Sequence, residues 1–151
     1  MKKIKKYLIL IFPLLSIGLI FRSIYIYNKE KQALSWDETN GIIIHSEIIK
    51  DYSFDPPDYY SIVKYEYIIQ NKKFYSEKIA INNPTGSPEE IVEKYPKGKK
   101  VKVYVNPKNS NESVLEKCVK TTDFIISLSL GIFLLVGGTI ISIGTLYKEK
   151  K

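Results

Sequence analysis

Residues 95–107 read Tyr95-Pro96-Lys97-Gly98-Lys99-Lys100-Val101-Lys102-Val103-Tyr104-Val105-Asn106-Pro107. Pro96 disfavours helical geometry at the residue before it, so a helix arriving from upstream ends at Tyr95. Gly98 lets the chain turn. From Lys99 to Asn106 apolar and polar residues alternate, which puts Val101, Val103 and Val105 on one face of a strand. Pro107 then ends the strand, because proline has no N–H for a ladder. A helix stop, a tight corner and a half-buried strand within thirteen residues place this part of the chain in a small α+β domain.

The upstream sequence agrees. Ser87-Pro88-Glu89-Glu90 opens a short helix. Ser87 is suited to the N-cap, Pro88 to the first helical position, and the two acids to the positive end of the helix dipole. Further back, runs rich in Ile, Val and Tyr predict strands at 41–50, 61–70 and 74–81, with Asn71-Lys72-Lys73 as a hairpin turn between the last two. The paired prolines of Asp51-Tyr-Ser-Phe-Asp-Pro-Pro-Asp-Tyr-Tyr60 predict a loop. A last short strand is expected at Val114-Leu115. Short connections make the sheet mostly antiparallel. The expectation is about five strands and one helix, as a small barrel or as a sheet covered by the helix, occupying 28–123.

Beyond this domain the character changes. Residues 7–27 (YLILIFPLLSIGLIFRSIYIY) and 124–147 (FIISLSLGIFLLVGGTIISIGTLY) are two apolar stretches. As helices they would run about 31 and 36 Å, against a hydrocarbon core of about 30 Å. Arg22 opposes the first, at about 2.5–3.5 kcal/mol if it were central. It lies past the midpoint and can snorkel to the interface. A cleaved signal peptide would need a small-x-small processing site, which Arg22-Ser-Ile-Tyr-Ile-Tyr does not supply. Two transmembrane helices flanking the β domain are therefore expected. The second carries Ser127, Gly131, Gly138, Ser142 and Thr145 along one face, a ridge that permits close helix packing. Its partner is either the first helix of the same chain, where Ser16 and Gly18 are small, or a second copy in a homo-oligomer.

The formal net charge is +7, yet 28–123 holds about fifteen lysines and as many acidic residues. The surplus lies in the tails, 1–6 and 148–151, and at Arg22. That is the mark of membrane orientation and not of a nucleic-acid surface. It predicts both termini in the cytoplasm and an extracytoplasmic domain in a multi-pass cell-membrane protein. The partners expected are the lipid bilayer and another membrane or envelope protein, without nucleic acid.

Residues suited to chemistry are sparse. His45 is the single histidine and stands on a strand; Cys118 is the single cysteine, so no disulfide within the chain and no cysteine zinc site can form. Asp51, Asp55 and Asp58 match no calcium-loop spacing. No cofactor or metal is expected, and the chain is not expected to be an enzyme. Tyr95, Lys97, Lys99, Lys100 and Tyr104 interleave cations and aromatic rings, the composition of a binding surface. Two alternatives stand beside an interaction module: a membrane-tethered hydrolase or transferase using carboxylates, and a cytoplasmic-facing domain binding nucleic acid or lipid.

The chain resembles the DUF3592 family of uncharacterised membrane-associated proteins. The resemblance covers about residues 36–116: Trp36 and Gly41-x-Ile43, Val63-x-Tyr65-x-Tyr67, Tyr75, then Tyr95-Pro96-x-Gly98-x-x-Val101-x-Val103-Tyr104-x-Asn106-Pro107 and Val114-Leu115-Glu116. A glycine common in the hairpin, and a proline common after Asn106-Pro107, are missing here. Both are changes in turns. The resemblance implies a fold with flanking hydrophobic helices and no assigned activity.

Overall fold

A computed structural model describes the backbone of residues 2–82 and 84–148, and side chains between Ile11 and Ile141 except at 12 and 83. The elements are α1 (Lys2–Ala33), β1 (Asp37–Asp51), β2 (Asp58–Ile69), β3 (Lys72–Ser76), α2 (Pro88–Lys94), β4 (Lys100–Asn106), β5 (Asn109–Val114) and α3 (Thr121–Lys148). They form two compact units. One comprises the residues up to Asn28 and those from Val119 onward; the other is Lys29–Cys118.

The second unit is α+β. Its five strands form one antiparallel sheet in the order β3-β2-β1-β4-β5. Apolar alternation sends Val63, Tyr65 and Tyr67 of β2, Ile43 of β1, and Val103 and Val105 of β4 to one face. There they meet Ile79, Ile91 of α2, Tyr95 and Leu115. A smaller cluster joins Ala33, Trp36 and Val114, with Tyr104 against it. Gly41 permits close packing at the centre, where a Cβ would come within 2.6 Å of Val103 Cγ2 and 2.7 Å of the Glu66 carbonyl.

The sheet is open, since no ladder joins β3 to β5 among the described residues. Of the two expected forms, the closed barrel therefore does not occur. The sheet is nevertheless strongly curled. β2 and β5 are three places apart, about 14 Å in a flat sheet. Yet the Tyr65 hydroxyl lies 3.0 Å from Ser113 Oγ, and the Tyr67 hydroxyl donates to the Ser110 carbonyl at 2.6 Å. A phenol reaches that far only if the strands bend towards each other. Past the ladders, Leu115 N–H and Glu116 N–H both donate to the Ile79 carbonyl, at 2.9 and 2.8 Å. These two bonds tie the opposite edges of the sheet together.

Four expected boundaries need correction. β1 begins at Asp37, because its polar start pairs with β4 from Asp37↔Val105 to Ile42↔Lys100. β2 begins at Asp58, so the loop between β1 and β2 shrinks to residues 52–57. The hairpin turn is Gln70-Asn71, with φ of 48° and 62°, the left-handed pair that suits a two-residue connection, and β3 stops at Ser76. The last strand is the polar Asn109–Val114, not Val114-Leu115. The short helix forms as its sequence implies. Ser87 Oγ accepts from Glu90 N–H, and Glu90 Oε2 accepts from Ser87 N–H.

In the helical unit, α3 exposes Ile125, Ile126, Leu130, Ile132, Phe133 and Val136. Among the described residues one helix is long and apolar enough to cross a membrane, Thr121–Ile141, with mean hydropathy 2.4. The expected first span does not meet that measure within its described part, and residues 7–10 and 12 lie outside the described side chains. The helices meet at Gly131, whose added Cβ would lie 2.7 Å from Ile20 and 3.6 Å from the Ser16 carbonyl. Tyr27 stacks on Phe124 with ring centroids 4.3 Å apart.

Candidate functional site

Strand alternation that sends one set of side chains to the core sends the other to the outer face. Across β2, β1 and β4 this second set is Glu66 and Ile68, Asn40 and Ile42, Lys100 and Lys102. Together they line an open groove of about 670 Å³. Its floor is apolar: Ile68 is 57% exposed, and Tyr75 on the neighbouring strand is also exposed. Its rim is charged. Lys102 pairs with Glu38 at 2.8 Å, and Lys73 with Glu66 at 3.1 Å. Hydrogen bonds donated to these carboxylates hold both ammonium groups above their ordinary pKa.

A second feature follows from unequal strand lengths. β1 has 15 residues and β2 has 12, whereas β3, β4 and β5 have 5, 7 and 6. β4 leaves β1 at Ile42, and β3 leaves β2 at Tyr65. The register slips by one residue between Ile43 and His45, a bulge that bends and twists the strand. Beyond it, β1 and β2 continue as a two-stranded arm. Its end exposes Tyr52 (75%), Phe54 (63%), Tyr59 and Tyr60. Lys50 Nζ lies 5.0 Å from the Tyr52 ring centroid and 5.5 Å from that of Tyr59. Asp51 accepts from Ser53 N–H at 2.8 Å, a bond that lowers its pKa, and Asp58 accepts from Tyr59 N–H.

The polar groups inside the sheet are matched to one another. Tyr65 donates to the Lys78 carbonyl at 2.8 Å beside its contact with Ser113. Burial pushes its pKa up to about 12, and burial raises that of Tyr67 as well. Glu116 Oε1 accepts from Tyr95 at 2.7 Å and from Lys94 at 2.8 Å. Burial first, then the Glu116 carboxylate, raise the Tyr95 pKa. Glu112 forms an ion pair with Lys29 and accepts from Asn106 Nδ2 at 2.8 Å. Burial opposes its charge, but these partners outweigh burial and hold the carboxyl below its ordinary value. Lys117 donates to the carbonyls of Leu34 and Trp36 at the end of α1, and lies 4.3 Å from the Tyr104 ring centroid.

The structure does not gather the expected binding residues. Tyr95 is buried as the C-cap of α2, and Tyr104 belongs to the Trp36 cluster. Lys97 is exposed at the Gly98 turn, and Lys99 Nζ donates to the Lys94 carbonyl at 2.6 Å. Of the five, Lys100 lines the groove. On α3, Gly131 packs against α1, Ser127 is exposed, Gly138 is half-buried, and the side chain of Ser142 lies outside the described residues. His45 pairs with Glu47 at 2.9 Å, both exposed on the arm. Among the described residues no three His, Cys, Asp or Glu side chains group as metal ligands. Sequence reading missed the groove and the arm, because both depend on which strands become neighbours.

A curled five-stranded antiparallel sheet with one short helix, joined in one chain to a unit of two long helices of which one is apolar enough among the described residues to cross a membrane, defines the class of the protein. The profile of a family described as a domain of unknown function, DUF3592, matches residues 39–117, more than half of the chain. The chain belongs to the DUF3592 family. No curated protein and no solved structure matches it.

Proposed function

We propose that this chain is a membrane-anchored, non-catalytic binding module that offers the outer face of its β sheet to a protein partner. The observation that carries the reading is the contrast between the surfaces of the two units. One exposes rows of Ile, Leu and Phe along its helices; the other places a small apolar floor, Ile42 and Ile68, inside a charged rim on its central strands. Water suits the second surface and not the first.

In this reading α1 is a second membrane pass. Its exposed Ile11, Leu14, Leu15, Ile17, Phe21 and Ile24, and its contact with Gly131, support that role. The lysines at both ends of the chain favour cytoplasmic termini and an extracytoplasmic domain. A carboxylate enzyme would call for two facing acids, one with a raised pKa. Glu66 in the groove is instead bound by Lys73.

The test has two parts. Membranes are extracted with alkaline carbonate and with detergent, and a reporter is fused after Lys108. A photo-reactive residue is then placed at position 68, and at position 111 as a control. The expected results are solubilisation by detergent alone, reporter activity outside the cytoplasm, and a covalent adduct specific to position 68. Extraction by carbonate would remove the anchor, and equal labelling at both positions would remove the binding face.

A further inference from the structure

Resting on the reading of the groove as a binding face, we infer that its occupant is the β1–β2 arm of a second copy of this chain, the two copies exchanging arms reciprocally. The arm lacks flanking strands from His45 outward, and none of its residues from 47 to 60 is buried. A two-stranded ribbon is marginal in water by itself. Four exposed aromatic rings at its end add surface that gains from being covered.

The chemistry of arm and groove is complementary. Residues 45–64 carry Glu47, Asp51, Asp55 and Asp58 against Lys50 and Lys64, a net charge of −2 with His45 neutral. The groove and its rim carry Lys73, Lys100 and Lys102 against Glu38 and Glu66, a net charge of +1. Phe54 and Tyr52 match the Ile42 and Ile68 floor, while Asp55 and Asp58 match the lysines beside it.

The arm cannot serve its own groove. From Ile42 to Asp51 the strand advances nine residues, about 30 Å along the chain at the usual rise. The complementary surfaces of one molecule therefore meet only in a second. Copies anchored in one membrane share an orientation, so a two-fold axis along the membrane normal lets each arm enter the other's groove. Such an exchange closes as a dimer, whereas a one-way contact would propagate.

Full-length chains with Cys118→Ser are prepared as two populations, one with Phe54→Cys and one with Ile68→Cys, and co-expressed in one membrane. Oxidation is expected to give a disulfide-linked heterodimer. Replacing Ile68→Cys by Asn111→Cys should lose it. Asp55→Lys with Asp58→Lys on the arm should cut the yield about tenfold, and added salt should do the same to the unmodified pair. Lys100→Glu with Lys102→Glu on the groove partner should restore it. These positions are exposed, and unchanged Trp36 emission checks that each variant is folded. A heterodimer no more abundant than the Asn111 control, or one indifferent to charge reversal, overturns the inference. If a photo-reactive residue at position 68 labels a different protein and never a second copy, the groove remains a binding face and the exchange is wrong. If it labels nothing, both fall.

Discussion

The substitution Tyr65→Phe removes one oxygen from the middle of the β domain, and the structure sets the result. At neutral pH the variant loses the bond to Ser113, which is 1% exposed, and the bond to the Lys78 carbonyl. Lys78 is exposed and its carbonyl can turn to water, so the cost is that of stranding the buried Ser113 hydroxyl, about 1–3 kcal/mol. Raising the pH changes the comparison. Folding lifts the Tyr65 pKa from its ordinary value of 10.0 to about 12, chiefly by burial. The unfolded chain therefore releases this proton first, and between those values it binds fewer protons than the folded one. Stability then falls as pH rises, by about 1.4 kcal/mol per unit, or about 2.7 kcal/mol once the folded pKa is passed. The contribution is complete below about pH 10 and gone above about pH 12. The variant has no phenolic proton to lose at this position, whereas Tyr67 and Tyr95 titrate in both proteins and cancel in the difference. Urea unfolding of the full chain in detergent, followed by circular dichroism at several pH values from about 8 to about 12, should show the variant less stable at the low end and the two proteins converging at the high end. A gap that stays constant across that range, or no gap at its low end, would refute the assignment of Tyr65 as a buried phenol that holds the curled sheet.

Gly41→Ala should destabilise the domain by about 1–3 kcal/mol in the same urea assay, since the new methyl meets Val103 at 2.6 Å and the Glu66 carbonyl at 2.7 Å. Ser87→Ala should cost about 1 kcal/mol through loss of the N-cap, with Ser87→Asp retaining most of it. Gly131→Leu should push α1 and α3 apart at Ile20, lowering the yield of a disulfide engineered between the two helices while Trp36 emission is unchanged. Replacing residues 49–60 by Asn-Gly should alter stability by less than about 1 kcal/mol, because that segment holds no buried side chain.

The parts of the fold legible in the sequence are those fixed by local chemistry. Ser87-Pro88-Glu-Glu announces its helix because the capping residues act on backbone groups three positions away. The valines of β4 announce a half-buried strand because burial follows their alternation. The apolar run of α3 is legible as length alone. β5 is illegible for the converse reason. Asn109–Val114 is polar because it forms an edge, and it is held there by phenols from β2, 43 and 48 residues earlier in the chain. The start of β1 hides likewise, since Asp-Glu-Thr-Asn becomes strand only by pairing with β4. Tyr95 looks like a surface aromatic beside lysines, but capping α2 turns it inward, where Glu116 takes its hydroxyl.

The same geometry explains why the outer face and the arm, and not the inner face, are the surfaces left exposed. Curling commits the inner face to the core: its phenols are bound to β5 and its two edges are tied through the Ile79 carbonyl. An incoming strand would find β3 and β5 already turned towards each other. The outer face keeps its side chains free of that role, and the bulge after Ile43 releases β1 and β2 from their neighbours at the point where the groove ends. Had β3 and β4 matched the length of β1, the arm would be ordinary sheet and its aromatic residues would face flanking strands. The mismatch in strand length is therefore what separates a packed core from an arm without flanking strands.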